Sequence, residues 1–490
     1  MNEFLPIIPI ILPLLTALGI QILGRFAPDN IRDGFHTTMA IINFYFVWQI
    51  YTPVMNGETP SFLITEMFEG APLLFTVEPL GMLFSLVAAG LWIPTSVYAF
   101  GYMRGHHEKN QTRFFTCFAM AIGFAIGVAY SGNLLTLFCF YEALTFSTYP
   151  LVTHHQDADA KRSGRIYMGI LVSTSVCFLL SGVLGVWHLT GTMEFVNGGI
   201  LAGKIEADSW VVSFLLALFA FGTAKAALLP FHKWLPNAMV APTPVSALLH
   251  AVAVVKAGVF TILKVVVYVF GLEFLTQSGA NTWLMALAAT TILFSSVVAL
   301  SKDNLKARLA YSTISQLSYI VLGAAMANPA GALGAGLHIV MHAIGKITLF
   351  FCAGAIFVGS HKKYISQMDG LAYKMPWTMA AFTMASFSII GLPPMGGVWG
   401  KWYLGMGALE ADGMPYLITL MISSLLSIGY LMPIVGRAYF RKPSAHDVDH
   451  AHEPSWMCVL PLSLTAIGCI ILFISPNVFM NLLTLLFEVK

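Results

Sequence analysis

The sequence predicts an all-α polytopic membrane protein, with about 14 transmembrane helices that include two inverted five-helix repeats, each containing a broken helix. Three observations support this fold class. Of the 490 residues, 57% are hydrophobic and 10% are charged, whereas soluble domains carry about 25% charged residues. Long apolar runs recur along the whole chain. Two of these runs are interrupted by clusters of proline and glycine.

Each apolar run is close to the ~20 residues that a helix needs to cross the hydrocarbon core of a bilayer. The runs cover residues 4–24, 33–53, 74–100, 114–130, 133–152, 166–190, 210–229, 240–269, 282–300, 304–327, 331–358, 377–403, 415–436 and 456–485. The first run follows Met-Asn-Glu, with no basic segment before it. We therefore interpret it as a retained helix rather than a signal peptide.

The distribution of lysine and arginine in the loops predicts the orientation. If the N-terminus is outside, the loops assigned to the inner side hold nearly all of these residues, whereas the outer side keeps only Lys204 and Lys490. This positive-inside pattern favours an even number of helices with both termini outside. We expect an integral protein of a prokaryotic inner (cell) membrane, in contact with lipid. The net charge of +2 gives no reason to expect a nucleic-acid partner.

The sequence gives no sign of a cofactor or metal held by this chain. The six cysteines contain no CxxC pair and are scattered through apolar runs, at Cys117, Cys139, Cys177, Cys352, Cys458 and Cys469. That pattern does not support iron–sulfur or zinc ligation. Gly-rich nucleotide-binding motifs are also missing from the sequence. We expect no catalytic chemistry of this chain's own, and any redox or nucleotide chemistry that drives it belongs to another chain.

The segment from Gly222 to Phe260 organises the rest of the chain. It begins as an apolar helix with Lys225, and an apolar helix with His250 and Lys256 follows. Between them lie the prolines Pro230, Pro236, Pro242 and Pro244. Proline lacks a backbone N–H and clashes with the preceding turn, so no continuous helix is expected here. Irregular backbone at membrane depth is tolerated where it is buried in protein or lines a wet cavity, so a broken, charged helix indicates an ion path.

Ionisable residues within the apolar runs are the main functional signal. After the loop residues are set aside, the runs hold Glu142, Lys225, Lys256, Lys264, Lys346 and Lys401. A charge at a helix centre costs about 2.5–3.5 kcal/mol on insertion scales, so such residues face the bundle interior and are functional by default. We interpret Lys264, near the outer end of its run, as a snorkelling or structural residue. The other five are candidates for a proton path.

The eleventh run adds a geometric argument. His338, His342 and Lys346 are spaced four residues apart, so they share one helix face over about 12 Å. A single histidine on an apolar face is usually a satisfied core residue. Two histidines and a lysine in register instead predict a relay that passes protons between groups and water.

Lysine suits proton transfer because burial disfavours its charged form, while a nearby carboxylate restores it. If Glu142 approaches Lys225, the pair keeps Lys225 protonated. Separation of the pair then favours transfer of the proton towards His250 or Lys256. This coupling is a hypothesis from residue types alone.

A second interruption falls at residues 389–404, IIGLPPMGGVWGKWYL, and Lys401 lies within it. Interrupted segments at corresponding places in two halves point to an inverted-repeat transporter. We therefore divide the chain into helices 1–3 (residues 1–112), a first repeat of helices 4–8 (113–270), a second repeat of helices 9–13 (271–442) and helix 14 (443–490). Each repeat contributes one broken helix with a lysine.

Five segments carry a family resemblance: NLLTLFCFYEALTFSTYPLV, AKAALLPFHKWLPNAMVAPTPVSALLHAVAVVKAG, DNLKARLAYSTISQLSY, GLHIVMHAIGKITLF and GLPPMGGVWGKW. In sequence and order they resemble the antiporter-like subunits of respiratory complex I, Mrp-type sodium/proton antiporters and membrane-bound hydrogenases. The resemblance covers roughly residues 75–440. It implies fourteen helices, two inverted five-helix repeats and a central hydrophilic axis.

The resemblance also implies residue roles. Glu142 and Lys225 would be the coupling pair, and His250 and Lys256 the link between the halves. The second-half relay and the terminal proton carrier would then be His338, His342, Lys346 and Lys401.

From these observations we expect a proton-translocating, antiporter-like subunit of a multisubunit membrane complex, with sodium exchange left open. Its partners would be other hydrophobic subunits, and one candidate partner is a second antiporter-like subunit. Three alternatives stay open: a redox-driven proton-pump module of an NADH:quinone oxidoreductase- or hydrogenase-type complex, an Mrp-type antiporter subunit that uses the proton gradient, and a membrane subunit of an inorganic-carbon uptake complex. A structural scaffold without transport is a further alternative, from a different class of function.

Overall fold

The computed structural model describes residues 4–68, 71–442 and 451–488, and over these ranges the chain is largely helical. The N-terminal helices are α1 (Ile8–Phe26), α2 (Asp29–Met55), α3 (Pro79–Gly105) and α4 (Gln111–Ala129). They are followed by α5 (Leu134–Val152), α6 (Ala158–Thr174), α7 (Leu180–Thr190) and α8 (Trp210–Gly222). A π-helical turn, Ser175–Leu179, joins α6 to α7, so these two helices form one long span.

A short β-hairpin stands between α2 and α3 of this otherwise helical fold. Strands β1 (Ser61–Phe68) and β2 (Ala71–Thr76) pair antiparallel, with Phe62 opposite Phe75. The third apolar run of the sequence begins at residue 74, but α3 starts at Pro79. The sequence places the start of this helix too early because a short apolar segment has the same pattern in a strand and in a helix.

The predicted interruption after α8 is present. Short turns and the four-residue helix α9 (Trp234–Asn237) fill the segment up to α10 (Thr243–Ala247). A π-helical turn, Leu248–Val252, then leads into α11 (Val254–Val265). The indole N–H of Trp234 donates to the carbonyl of Ala224 at 2.9 Å, so a backbone group left open by the break is satisfied inside the protein.

The described part of the second half contains the remaining helices. They are α12 (Leu272–Ser278), α13 (Thr282–Ser301), α14 (Leu305–Ala325), α15 (Pro329–Ser360), α16 (Pro376–Ile390), α17 (Gly397–Glu410), α18 (Met414–Phe440), α19 (Trp456–Ile474) and α20 (Asn477–Glu488). The second predicted interruption separates α16 from α17. Gly391 ends α16 with a φ of 89°, a backbone conformation that glycine adopts without the steric cost other residues meet.

Within the described residues, eight helices are long and apolar enough to cross a membrane, or nine if the segment bent by 83° between α11 and α12 counts as one span. The sequence predicts about 14. Helices occupy every predicted run, but the breaks shorten several of them. The helices α8 and α16, for example, have 13 and 15 residues, less than the hydrocarbon core requires.

The 32-residue helix α15 lies at the centre of the bundle. It packs against α3, α11, α14, α16, α17 and α19. Of its most apolar 18-residue stretch, 94% is buried inside the protein. By contrast, α1, α18 and α19 expose large apolar side chains such as Leu18, Leu425 and Ile471. The ionisable side chains of α15 are therefore enclosed by protein, while apolar surfaces suited to lipid face outwards.

Candidate functional site

Glu142 and Lys225 are connected through Tyr141 rather than by a direct ion pair. Lys225 is fully buried in the turn just after α8. Its ammonium donates to the backbone carbonyl of Tyr141 at 2.5 Å and lies 3.2 Å from the centre of the Tyr141 ring. Glu142 is also buried, and neither of its carboxylate oxygens has a hydrogen-bond partner among the described residues. The structure thus holds the lysine next to the acid but separate from it.

The turn that carries Lys225 is positioned by the same tyrosine. The backbone N–H of Lys225 donates to the hydroxyl of Tyr141 at 3.3 Å. A cation over an aromatic face is attracted to the ring by its quadrupole, so Tyr141 holds both the backbone and the ammonium of Lys225. The sequence analysis did not single out this tyrosine, although it stands next to Glu142.

Lys256 and His342 connect α11 to α15. Lys256, on α11, is fully buried, and its ammonium nitrogen lies 2.7 Å from Nδ1 of His342 on α15. Residue spacing grouped His342 with His338 and Lys346, whereas the role of Lys256 as a separate link was implied by the family resemblance. The tertiary structure brings Lys256 into direct contact with His342.

His338 continues the contact towards α14 and α17. Its imidazole ring lies 6.0 Å from that of His342, centre to centre, and stacks on the ring of Tyr319 at 5.4 Å. Nε2 of His338 lies 3.0 Å from the side-chain oxygen of Gln316. Both Gln316 and Tyr319 belong to α14 and are fully buried.

Lys346 leads into a cluster of hydroxyl groups instead of continuing the histidine pair. Its ammonium donates to the hydroxyl of Ser312 at 2.8 Å. Ser312 in turn donates to the hydroxyl of Tyr430 at 3.1 Å, and Ser427 lies 2.9 Å from the same hydroxyl. The stripe on α15 thus contacts two different sets of polar groups.

Lys401 lies on α17, beyond the second interruption. Its ammonium donates to the carbonyl of Ile390 at 2.9 Å and to the hydroxyl of Ser424 at 3.0 Å. It also lies 5.1 Å from the centre of the Tyr319 ring. Tyr319 therefore stands between His338 and Lys401.

The remaining predicted residue, His250, lies in the π-helical turn Leu248–Val252. Its side chain is outside the part of the chain that the structure describes, so its predicted role as a link stays a prediction.

Several polar residues of the site were not predicted individually. Ser312, Gln316 and Tyr319 occur at helical spacing on one face of α14. This pattern was visible in the sequence, but serines in a helix commonly bond back to their own backbone. Only the packing of α14 against α15 distinguishes a polar lining from local backbone contacts.

A second group of ionisable residues lies where the loop after α3 meets the loop after α5, at the end of the bundle that the sequence predicts to face inwards. His155 lies 3.1 Å from the carboxylate of Glu108, and His154 and His106 lie at 3.8 and 3.9 Å. Among the described residues, no group of three or more His, Cys, Asp or Glu side chains is arranged to hold a metal ion. Glu108, His106 and His155 line a cavity of about 290 Å³ that also reaches Lys306.

The same group has shifted pKa values. The hydrogen bond to Glu108 raises the pKa of His155 above its usual value. Burial by itself raises the pKa of Glu108, but the hydrogen bond and positive charges of the neighbouring histidines outweigh it, so the pKa of Glu108 is lowered. Burial lowers the pKa of His154 to about 4.

Residues 131–427 match the model of a protein family described as NADH:quinone oxidoreductase/Mrp antiporter, transmembrane. The match covers more than half of the chain. The chain belongs to this family. Membership confirms the family that the sequence motifs indicated and identifies an integral membrane protein.

Individual relatives come from several branches of the family. NADH-quinone oxidoreductase subunit N of Desulforudis audaxviator is 32% identical over 450 residues, which cover 90% of this chain and 87% of that protein. A component of the probable K(+)/H(+) antiporter of Rhizobium meliloti is 30% identical over 470 residues, 93% of this chain but 46% of that protein. Hydrogenase-4 component B of Escherichia coli is 30% identical over 437 residues, 84% of this chain and 63% of that protein. The chain thus spans most of the first relative and roughly half to two thirds of the other two.

Two solved structures share the fold. One is the membrane-bound sulfane sulfur reductase, an archaeal respiratory membrane complex; it contains a chain that matches with a TM-score of 0.85 and 24% identity, over 98% of this chain and 96% of that one. The other is the Mrp complex from a Dietzia species, in which one chain matches with a TM-score of 0.83 and 18% identity. This match covers 98% of the present chain and 97% of the Dietzia chain. At these identities the similarity concerns the fold alone.

Proposed function

We propose that this chain is a proton-translocating, antiporter-like subunit of a multisubunit membrane complex. The proton path consists of Glu142, Lys225, His250, Lys256, His338, His342, Lys346 and Lys401. The observation that carries the proposal is the hydrogen bond between Lys256 and His342, because it joins a buried lysine of the first half to the histidine pair of the second.

The contacts favour transfer through side chains and intervening water. Lys256 and His342 are within hydrogen-bond distance. The ring centres of His342 and His338 lie 6.0 Å apart. The ammonium nitrogen of Lys401 lies 5.1 Å from the centre of the Tyr319 ring. Polar groups separated by more than about 3.5 Å exchange protons through bridging water. Lys256 and Lys346 are fully buried, and Lys401 is partly buried. Burial disfavours a permanent charge on each of these lysines.

The finer topology belongs to the same proposal. It consists of fourteen membrane crossings, two inverted five-helix repeats at residues 113–270 and 271–442, and both termini outside. The matched interruptions support it, because Lys225 follows the break at the end of α8 and Lys401 follows the break at the end of α16. Labelling of tags at the two termini from the outer side tests this topology.

Other subunits are part of the proposal as well. The two solved structures with this fold are described as membrane complexes, and the relatives are named as subunits or components. These names leave two driving forces: redox chemistry on a partner protein, or an ion gradient. The relative named as an NADH-quinone oxidoreductase subunit supports redox chemistry as the driving force. The relative named as a K(+)/H(+) antiporter subunit supports an ion gradient about equally well.

The test uses the complex purified with the tagged chain from its native membrane. Proton movement is recorded with a pH dye inside vesicles, driven first by respiratory electron donors and then by imposed sodium or potassium gradients. We expect Lys225→Ala and Lys256→Ala to abolish proton movement in the mode used by the wild type. Lys204→Ala, which changes an exposed lysine in an outer loop, serves as the matched control.

The outcomes separate the alternatives. A scaffold predicts that all three variants assemble and function like the wild type, which would contradict the proposal. Activity with electron donors identifies a redox-driven pump, and activity with gradients alone identifies an antiporter.

A further inference from the structure

Lys264 is a buried lysine that the proposed path does not use. It is fully buried near the end of α11, and its ammonium forms an ion pair with Oε1 of Glu78 at 2.5 Å. The same ammonium donates to the carbonyl of Ser131 at 2.7 Å. Glu78 is also buried and caps the N-terminus of α3 by accepting from the backbone N–H of Gly81. The pair therefore links α3 to α11.

A polar cavity of about 340 Å³ adjoins this ion pair. Its wall includes Glu78, Lys264, Ser131, Glu194 and Asn197, together with residues of the hairpin. A cavity needs only about 10–15 Å³ of probe-occupied volume for one water, so this one has space for many. Glu194 and Asn197 are exposed, and the loops on this side are poor in lysine and arginine. These features place the cavity on the side that the positive-inside pattern assigns to the exterior.

A single helix connects this cavity to the centre of the site. Lys256 and Lys264 are eight residues apart on α11, or about 12 Å along the helix axis. Lys256 contacts His342 at the junction of the two halves, whereas Lys264 contacts Glu78 at the cavity. The helix thus has one lysine at the central axis and another at the outer cavity.

We propose that Glu78 and Lys264 form an outer release site for protons. The proposal rests on the proposed function. A proton delivered along α11 protonates the Glu78 carboxylate and weakens its ion pair with Lys264. The carboxylic acid then gives the proton to water in the cavity, and the ion pair forms again. One proton leaves for each one that arrives, and Lys264 keeps its charge throughout.

A purely structural ion pair would have different consequences. Buried ion pairs contribute little net stability compared with well-packed neutral replacements, but removal of one partner leaves the other charge buried and unpaired, which is strongly destabilising. Capping of α3 requires only an oxygen acceptor at position 78, which a glutamine amide or an aspartate also supplies. Proton release requires a group that titrates. Replacement of Glu78 by Gln and by Asp separates the two roles when the thermal midpoint of unfolding is measured beside the rate, because a structural pair predicts that the Gln variant loses rate only as far as it loses stability.

The experiment measures proton movement in vesicles that contain the whole complex, in the mode used by the wild type. We expect Glu78→Gln to assemble and to lower the rate about tenfold or more, because a titrating group is lost. Glu78→Asp should retain most of the rate. Glu206→Gln, which changes an exposed acid on the same side, should behave like the wild type. Equal rates in the Gln and Asp variants would overturn the proposal.

A second measurement does not depend on changing Glu78. Asn197→Cys places a thiol at the cavity wall, and a bulky, membrane-impermeant thiol reagent is added from the outer side. We expect the reagent to slow proton movement at least several-fold in this variant and not in the unsubstituted complex, which controls for the native cysteines. Labelling of the introduced thiol without any loss of rate would count against release through this cavity.

Lys256→Ala in the same assay separates the two proposals. If that variant still moves protons at the wild-type rate, the proposed path itself fails. If it is inactive while Glu78→Gln is fully active, only the release site is wrong.

Discussion

Nζ of Lys256 and Nδ1 of His342 lie 2.7 Å apart, although 86 residues separate them in the sequence. Each comes from a different predicted half of the chain, and each lies on a helix that is buried against the other. Residues from the two predicted halves thus meet in a direct side-chain contact.

This contact makes His342 a sensitive position. Replacement of His342 by Ala removes the imidazole that faces Lys256, so we expect proton movement to fall by about 10²-fold, the lower end of the range for a positioned proton-transfer group. The pH dye assay in vesicles measures it. His188→Ala changes an exposed histidine at the end of α7 and should have no effect. A wild-type rate in His342→Ala would exclude this contact from the path.

Glu142 provides a test of the coupling hypothesis. Because its carboxylate has no hydrogen-bond partner among the described residues, replacement by Gln should change the thermal midpoint of unfolding little. Transport should still fall strongly, since the neutral amide cannot attract Lys225. The control is Glu410→Gln, which changes an exposed acid. The thermal midpoint and the transport rate of Glu142→Gln are compared with those of this control. Unchanged transport would contradict the coupling role.

The hydroxyl cluster beyond Lys346 predicts a smaller effect. Tyr430→Phe removes the group that accepts from Ser312, and loss of such a hydrogen bond costs about 1 kcal/mol of stability. We expect a several-fold slower transport as well, because Lys346 loses part of its onward network. Tyr373→Phe, at an exposed tyrosine, is the control. A rate like that of the control would indicate that protons leave α15 through His338 alone.

The Glu108–His155 pair predicts a pH-dependent contribution to stability. The raised pKa of His155 means that its contribution is complete below the unfolded pKa of about 6.5 and is lost as pH rises through the folded value. The lowered pKa of Glu108 means that its contribution is complete above about pH 4.5 and is lost as pH falls through the folded value. The pair is therefore most stabilising between these values. His154 and His106, which also face Glu108, have pKa values lowered by burial.

The measurement is the thermal midpoint of Glu108→Gln relative to the wild type. We expect the difference to be largest near about pH 5.5 and to shrink at alkaline pH, once His155 has lost its proton. Neighbouring charges oppose each other, since Asp157 raises and Lys306 lowers the pKa of His155. A difference that grows towards alkaline pH would contradict this account.

The sequence by itself determined the membrane class, the family and the two helix breaks. These features follow from composition and local stereochemistry: a low fraction of charged residues is typical of a chain in lipid, and four prolines between Gly222 and Val245 prevent one continuous helix wherever that segment lies. It also determined which lysines stand inside apolar runs. These properties depend on neighbours in the chain and need no knowledge of packing.

The tertiary structure alone decided how those residues are connected. Helical spacing placed His342 with His338 and Lys346, but it contained no information on the rotation of α11 that directs Lys256 towards it. Spacing equally could not show that Tyr141 holds Lys225, or that Lys264 meets Glu78 beside a cavity. These contacts join residues far apart in the sequence, and they depend on how the helices pack and rotate around α15.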